Sequence, residues 1–95
     1  MYWSDWAPFN KENVDTVPER SGVYALGSHE TIYIGQSDNM RERLKEHLAS
    51  NNPCIQQTKA FSYFETLFPE AEEEKQLTAF QFEHGRLPEC NVQSK

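Results

Sequence analysis

Four side chains in this sequence could act together on an anion: Tyr24, Tyr33, Arg43 and His47. A guanidinium stays charged at any working pH, and its fork fits a phosphate or a carboxylate. An imidazole exchanges protons near neutrality. A phenol does so only when a neighbouring cation lowers its pKa. Together they offer proton transfer beside a bound anion. Each also has an ordinary role: tyrosine is a common strand residue, an arginine stem can cover apolar surface, and a histidine can pack half-buried. The choice depends on whether the elements bring the four together.

The segment GVYALGSHETIYIGQS reads as a β-hairpin, with Val23–Leu26 and Ile32–Ile34 as β-rich runs and GSHE as a polar turn. Period-two alternation puts Val23 and Ala25 on one face and Tyr24 on the other; Ile32 and Ile34 likewise oppose Tyr33. If the aliphatic sides share one core, both phenols project from the opposite face. A helix follows. Asn39 can cap it, with Glu42 completing a capping box, and Met40, Leu44 and Leu48 form its apolar stripe. At about 100° per residue, Arg43 and His47 lie on one edge of that stripe and Arg41 on the other. Lys45, Glu42 and Glu46 face water.

ASNNPCIQQTKA is a loop with room for a helical turn, and AFSYFETL is a third strand. PEAEEEKQLTAFQFEHG is a second long helix, opened by proline, acidic in its first turn and ended by Gly85, with Leu77 and Phe80 on its buried side. RLPECNVQSK reads as a short extended tail. The expected architecture is α+β, a small three-stranded antiparallel sheet flanked by helices. One domain spans 1–95, with 1–20 as an aromatic lead-in segment and 21–91 as the core.

The chain has 95 residues, 37% hydrophobic and 13% aromatic, enough for one small core. No apolar run is long enough to span a membrane, and MYWSDWAPFN has no signal-peptide pattern. The net charge of -6 argues against a generic nucleic-acid binder. Nucleic-acid contact would rest on a local patch drawn from Arg41, Arg43, Lys45 and Arg86. Cys54 and Cys90 lie far apart without a CxxC, which points to reduced thiols in a cytoplasmic protein. The histidines have no zinc-finger spacing.

GVY at Gly22–Tyr24 and YIG at Tyr33–Gly35 resemble the two signature tripeptides of the GIY-YIG nuclease family. The order continues with Arg43 and His47 on the next helix, a glutamate on a later helix and Asn91 in LPECN, so the resemblance runs from Ser21 to Asn91. It implies a GIY-YIG-like fold and a metal-dependent endonuclease acting on DNA, with one Mg²⁺ or Mn²⁺. It also implies roles. Tyr24 acts as or assists the general base, with His47 as the alternative or the proton partner. Tyr33 orients water or phosphate, and Arg43 holds the phosphate. Asn91 positions the glutamate helix or a metal-bound water. The glutamate falls in the run Glu72–Glu73–Glu74. The family pattern of apolar residues three and four on points to Glu74, which is taken as the metal ligand, whereas periodicity with Leu77 and Phe80 favours Glu73, kept as the second choice. Gly35 leaves the tyrosine face of the sheet without a side chain.

A single carboxylate completed by water and phosphate oxygens suits Mg²⁺, which keeps most of its hydration shell. Two rival readings are a weak or inactive nucleic-acid-binding module on the same fold and a protein-interaction domain. Exposure of both Trp3 and Trp6 would favour the latter. A protein partner that supplies DNA binding would fit the acidic charge.

Overall fold

The structure, a computed structural model, describes residues 2–92. The elements in order are β1 (Ala7–Pro8), α1 (Lys11–Val14), β2 (Gly22–Gly27), β3 (Thr31–Ser37), α2 (Met40–Leu48), α3 (Pro53–Gln56), β4 (Ala60–Glu65), α4 (Pro69–His84) and α5 (Glu89–Val92). The strands form one antiparallel sheet in the order β1-β4-β2-β3. The sheet thus has four strands rather than the three expected. The extra one comes from the lead-in, where Ala7 pairs with Phe61 and Pro8 with Ala60. Two residues show no periodicity, so this strand leaves no trace in the pattern. A proline without an N–H is tolerated there because β1 is an edge.

Local chemistry explains the helices. Asn39 accepts the Glu42 N–H at 3.1 Å and starts α2; Asn10 and Asn52 start α1 and α3 in the same way. Pro69 opens α4, and Gly85 closes it in the left-handed conformation at φ 76°. Within RLPECNVQSK, expected to be an extended tail, Glu89–Val92 form the short helix α5, packed on β3, and 93–95 lie outside the described residues.

The sheet is covered on both faces. Val23, Ala25, Ile34 and Phe64 pack with Trp3 and with Leu77 and Phe80 of α4. Tyr24, Leu26, Met40, Leu44, Val14 and Val17 form the larger core on the other face, beneath α2. The predicted partition therefore holds for Val23, Ala25 and Ile34 but not for Ile32, which joins the Tyr24 side. The reason is a bulge. Leu26 pairs with Tyr33 and Gly27 with Thr31, so Ile32 is an extra residue and turns to the other face.

Cys54 of α3 and Cys90 of α5 are joined by a disulfide. The expectation of two free thiols does not hold, and the thiol-based reasoning for a reducing compartment goes with it. The folded chain brings α3 against α5, whereas a sequence separation of 36 conceals the pairing.

No helix among the described residues is long and apolar enough to cross a membrane. Trp3 stacks edge-on against Phe64 at 4.7 Å between centroids and belongs to the core, while Trp6 is half exposed. The joint exposure that an aromatic docking segment would require is not present.

Candidate active site

Tyr24 stands in the central part of the sheet, between β3 and β4, and is fully buried. Its register partner on β3 is Gly35, and Tyr33 sits opposite Leu26 on the same face. α2 lies over this face because Met40 and Leu44 are buried in the core beneath it. The helical turn that buries Leu44 delivers His47 to the tyrosines. The Tyr24 hydroxyl and His47 Nε2 are 2.8 Å apart. The three rings form a triangle, with centroid separations of 6.1 Å (Tyr24–Tyr33), 5.5 Å (Tyr24–His47) and 5.4 Å (Tyr33–His47). Gly35 makes room for the first of these rings: a Cβ there would lie 2.5 Å from Tyr24 Oη and 2.6 Å from Cζ.

The electrostatics follow from burial. Desolvation, reinforced by Tyr33, pushes the Tyr24 phenol well above its ordinary range; the Arg43 charge works in the opposite direction, and the Glu73 carboxylate raises it. Desolvation and then Arg43 lower the His47 imidazole to about 4. At neutral pH both groups are uncharged. His47 is thus a neutral hydrogen-bond partner of the phenol rather than a cation beside it. Arg43 is the nearby cation, whose charge favours the phenolate but is outweighed by burial. One of its guanidinium nitrogens lies 2.7 Å from Glu46 Oε1. Tyr33, Arg43, Glu46, His47, Ser50 and Asn52 line a cleft of about 310 Å³ that opens beside the pair.

The acidic run separates on α4. Glu73 is partly buried, interacts electrostatically with Tyr24 and shares its helix edge with Leu77 and Phe80, which face the sheet. Burial and then the Glu70 charge hold its carboxyl above the usual range. Glu74 is exposed and lines a different hollow with Lys75, Thr78 and Phe82. Of the two carboxylates, it is Glu73 whose charge is felt at Tyr24, although α4 covers the sheet face opposite the tyrosines; periodicity puts Glu73 on the buried edge of α4. Among the described residues no group of three or more His, Cys, Asp or Glu could hold a metal ion. A cation here would draw most of its ligands from water and substrate. Glu73 suits such a cation, because a nearby positive charge would relieve its unfavourable ionisation.

Asn91 has a different place. Its Oδ1 accepts the Ile34 N–H and its Nδ2 donates to the Ile34 carbonyl, both at 2.9 Å. It thereby pairs with the outer edge of β3 like a short strand and ties α5 to the residue between Tyr33 and Gly35. The expected basic patch is dispersed. Arg41 donates to the Val17 carbonyl at 2.7 Å and pairs with Glu19; Lys45 pairs with Asp15 and Arg86 with Glu30.

The match to a domain of unknown function, DUF7508, covers residues 3–79. No curated protein matches this sequence. Crystal structures that resemble it include three point mutants of the GIY-YIG N-terminal endonuclease domain of UvrC from Thermotoga maritima, each bound to its catalytic divalent cation. All three comparisons cover 83% of this chain and 90% of that domain. Two are 18% identical with TM-scores of 0.62 and 0.61, and the third is 17% identical with a TM-score of 0.61. At this identity the likeness establishes the fold. The chain therefore belongs to the DUF7508 family, built on the fold of the GIY-YIG endonuclease domain.

Proposed function

We propose that this protein is a divalent-cation-dependent endonuclease that hydrolyses phosphodiester bonds in DNA. The observation that carries this reading is the buried 2.8 Å contact between Tyr24 and His47, with Arg43 and Tyr33 around it and the Glu73 charge felt at Tyr24. Hydrolysis needs a deprotonated water, charge stabilisation at the phosphate and help for the leaving oxygen. Tyr24 takes the proton from water as its own passes to neutral His47, so neither group needs to hold a charge beforehand. The Arg43 guanidinium stabilises both the phenolate character of Tyr24 and the charge that builds on phosphate. To reach phosphate, Arg43 exchanges Glu46 for the substrate. Tyr33 orients water or phosphate at the mouth of the cleft. Glu73 would hold the cation, Mg²⁺ or Mn²⁺, which when bound supplies the positive charge that favours water ionisation and leaving-group departure. Asn91 acts at one remove, by holding β3.

The ion pairs at Arg41, Lys45 and Arg86 favour a weak grip on plain duplex. A distorted or single-stranded DNA, or a protein partner that brings DNA, suits such a surface. The test is nicking of plasmid and of branched DNA by purified protein with Mg²⁺ or Mn²⁺. Activity that disappears with EDTA, and in both Tyr24→Phe and Arg43→Ala, is the expected result. Folded protein that cleaves none of these substrates would defeat the proposal.

A further inference from the structure

The disulfide lies next to the residues assigned to catalysis. Cys90 borders the cleft that Tyr33, Arg43 and His47 line, and it immediately precedes Asn91. Asn91 contributes two side-chain hydrogen bonds to the backbone of Ile34, and Ile34 separates Tyr33 from Gly35. β3 is an edge strand of the sheet, so no further strand covers Ile34 on that side. α5 has only four residues and cannot hold itself as an isolated helix. Its position depends on anchors: the bond to Cys54 in α3, a weak contact between Gln57 and Glu89 at 3.4 Å, and the Asn91 clamp itself. The covalent bond is the anchor that can be broken without altering a residue of the site.

We propose that Cys54 and Cys90 are redox-dependent positioning residues: their disulfide holds α5 so that Asn91 fixes the Tyr33–Gly35 strand, and its reduction releases the clamp and slows cleavage. This rests on the proposed endonuclease activity for its consequence, though not for the clamp. The reductant is a dithiol. Its thiolate attacks one cysteine sulfur and the Cys54–Cys90 bond breaks. The second thiol of the reductant then resolves the mixed disulfide, leaving two protein thiols and an oxidised reductant, with two electrons transferred. Both cysteines are buried, so attack proceeds through the cleft beside Cys90 or through fraying of α5.

The experiment uses the full chain in three states: oxidised, reduced with dithiothreitol, and reoxidised. Amide hydrogen exchange is read by NMR at Ile34, whose N–H is held by Asn91, and at Ala25 in the interior of the sheet. Cleavage is measured in parallel. Reduction is expected to speed Ile34 exchange at least about tenfold while Ala25 stays protected. It should lower kcat at least about tenfold with KM within about twofold, because Arg43 is untouched, and reoxidation should restore both. Asn91→Ala in the oxidised protein should reproduce the Ile34 effect, and it covers the case in which a cysteine variant fails to fold. Unchanged Ile34 exchange on reduction overturns the proposal. So does loss of protection at Ile34 and Ala25 together, which would make the bond a general staple, or release of Ile34 with kcat unaltered. Absence of cleavage in every state would refute the endonuclease reading instead, while the Ile34 measurement still decides the clamp.

Discussion

Replacing Gly35 with alanine reverses an ordinary expectation. Within a strand, glycine costs about 0.5–1 kcal/mol relative to alanine, so the change would usually stabilise. Here the new Cβ would lie 2.5 Å from Tyr24 Oη, 2.6 Å from Tyr24 Cζ and 2.8 Å from Tyr33 Cε2. Relief to ordinary van der Waals contact needs a shift of most of an ångström. The Tyr24 ring is fully buried and its hydroxyl is held by His47 at 2.8 Å, so the shift breaks that contact. Overpacking costs about 1–3 kcal/mol. Leaving buried polar groups unmatched costs about 1–3 kcal/mol more. With partial relaxation we expect a net loss of about 2–4 kcal/mol, a large share of the roughly 5–15 kcal/mol that stabilises a small domain. For a chain of this size each 1 kcal/mol lowers Tm by about 4–8 °C. Urea unfolding followed by tryptophan fluorescence measures the loss, and cleavage should fall with it. A double-mutant cycle with Tyr24→Ala isolates the cause: removing the ring should rescue Gly35→Ala by at least about 1 kcal/mol. A neutral or stabilising Gly35→Ala, or a cycle with no coupling, would show that the glycine does not serve the ring.

Glu73→Gln should abolish metal-dependent cleavage while Glu74→Gln retains it. Because the folded state raises the Glu73 pKa, its ionised form weakens the fold as pH rises through its titration, so Glu73→Gln should also melt above the wild type at pH 7; the opposite pattern would return the ligand to Glu74. Arg43→Ala should lower kcat by about 10²–10³, as loss of one transition-state donor does, with little change in Tm. Arg41→Ala should keep cleavage and lose about 1 kcal/mol of stability with its hydrogen bond to Val17; equal kinetic losses from the two would mean that α2 is misplaced. His47 titrates near 4 when folded and near 6.5 when unfolded, so the unfolded chain binds more protons between these values and stability falls as pH drops through this window. The full effect is about 2–3 kcal/mol. Denaturation midpoints from pH 7 to pH 4 should show it in wild type and lose it in His47→Gln. Binding to random duplex should be undetectable in a gel shift at physiological salt, with a log–log salt slope of about -2 to -4 where it can be measured; a slope steeper than about -6 would require cations that the ion pairs do not leave available.

The sequence alone determined what is local and periodic. The hairpin, the Asn39-capped helix and the proline-to-Gly85 helix follow from alternation, capping and breaker residues, because these act within a few residues of chain. The grouping of Tyr24 with Tyr33 and of Arg43 with His47 was legible for the same reason, as two strand faces and one helix edge; the resemblance of GVY and YIG is what singled them out. The contact geometry was not. That His47 is an uncharged partner of Tyr24, with Arg43 as the nearby cation, depends on burial beneath α2, and burial is a property of the assembled core. Glu73 and Glu74 differ by about 100° around the helix. Periodicity put Glu73 on the buried edge of α4, but only the assembled fold shows that its charge, rather than that of the exposed Glu74, is felt at Tyr24. The edge strand at Ala7–Pro8, the bulge that turns Ile32 over, the clamp of Asn91 on Ile34 and the union of Cys54 with Cys90 are pairings between distant segments. No local pattern encodes them, because their energies are gained only when the chain closes on itself.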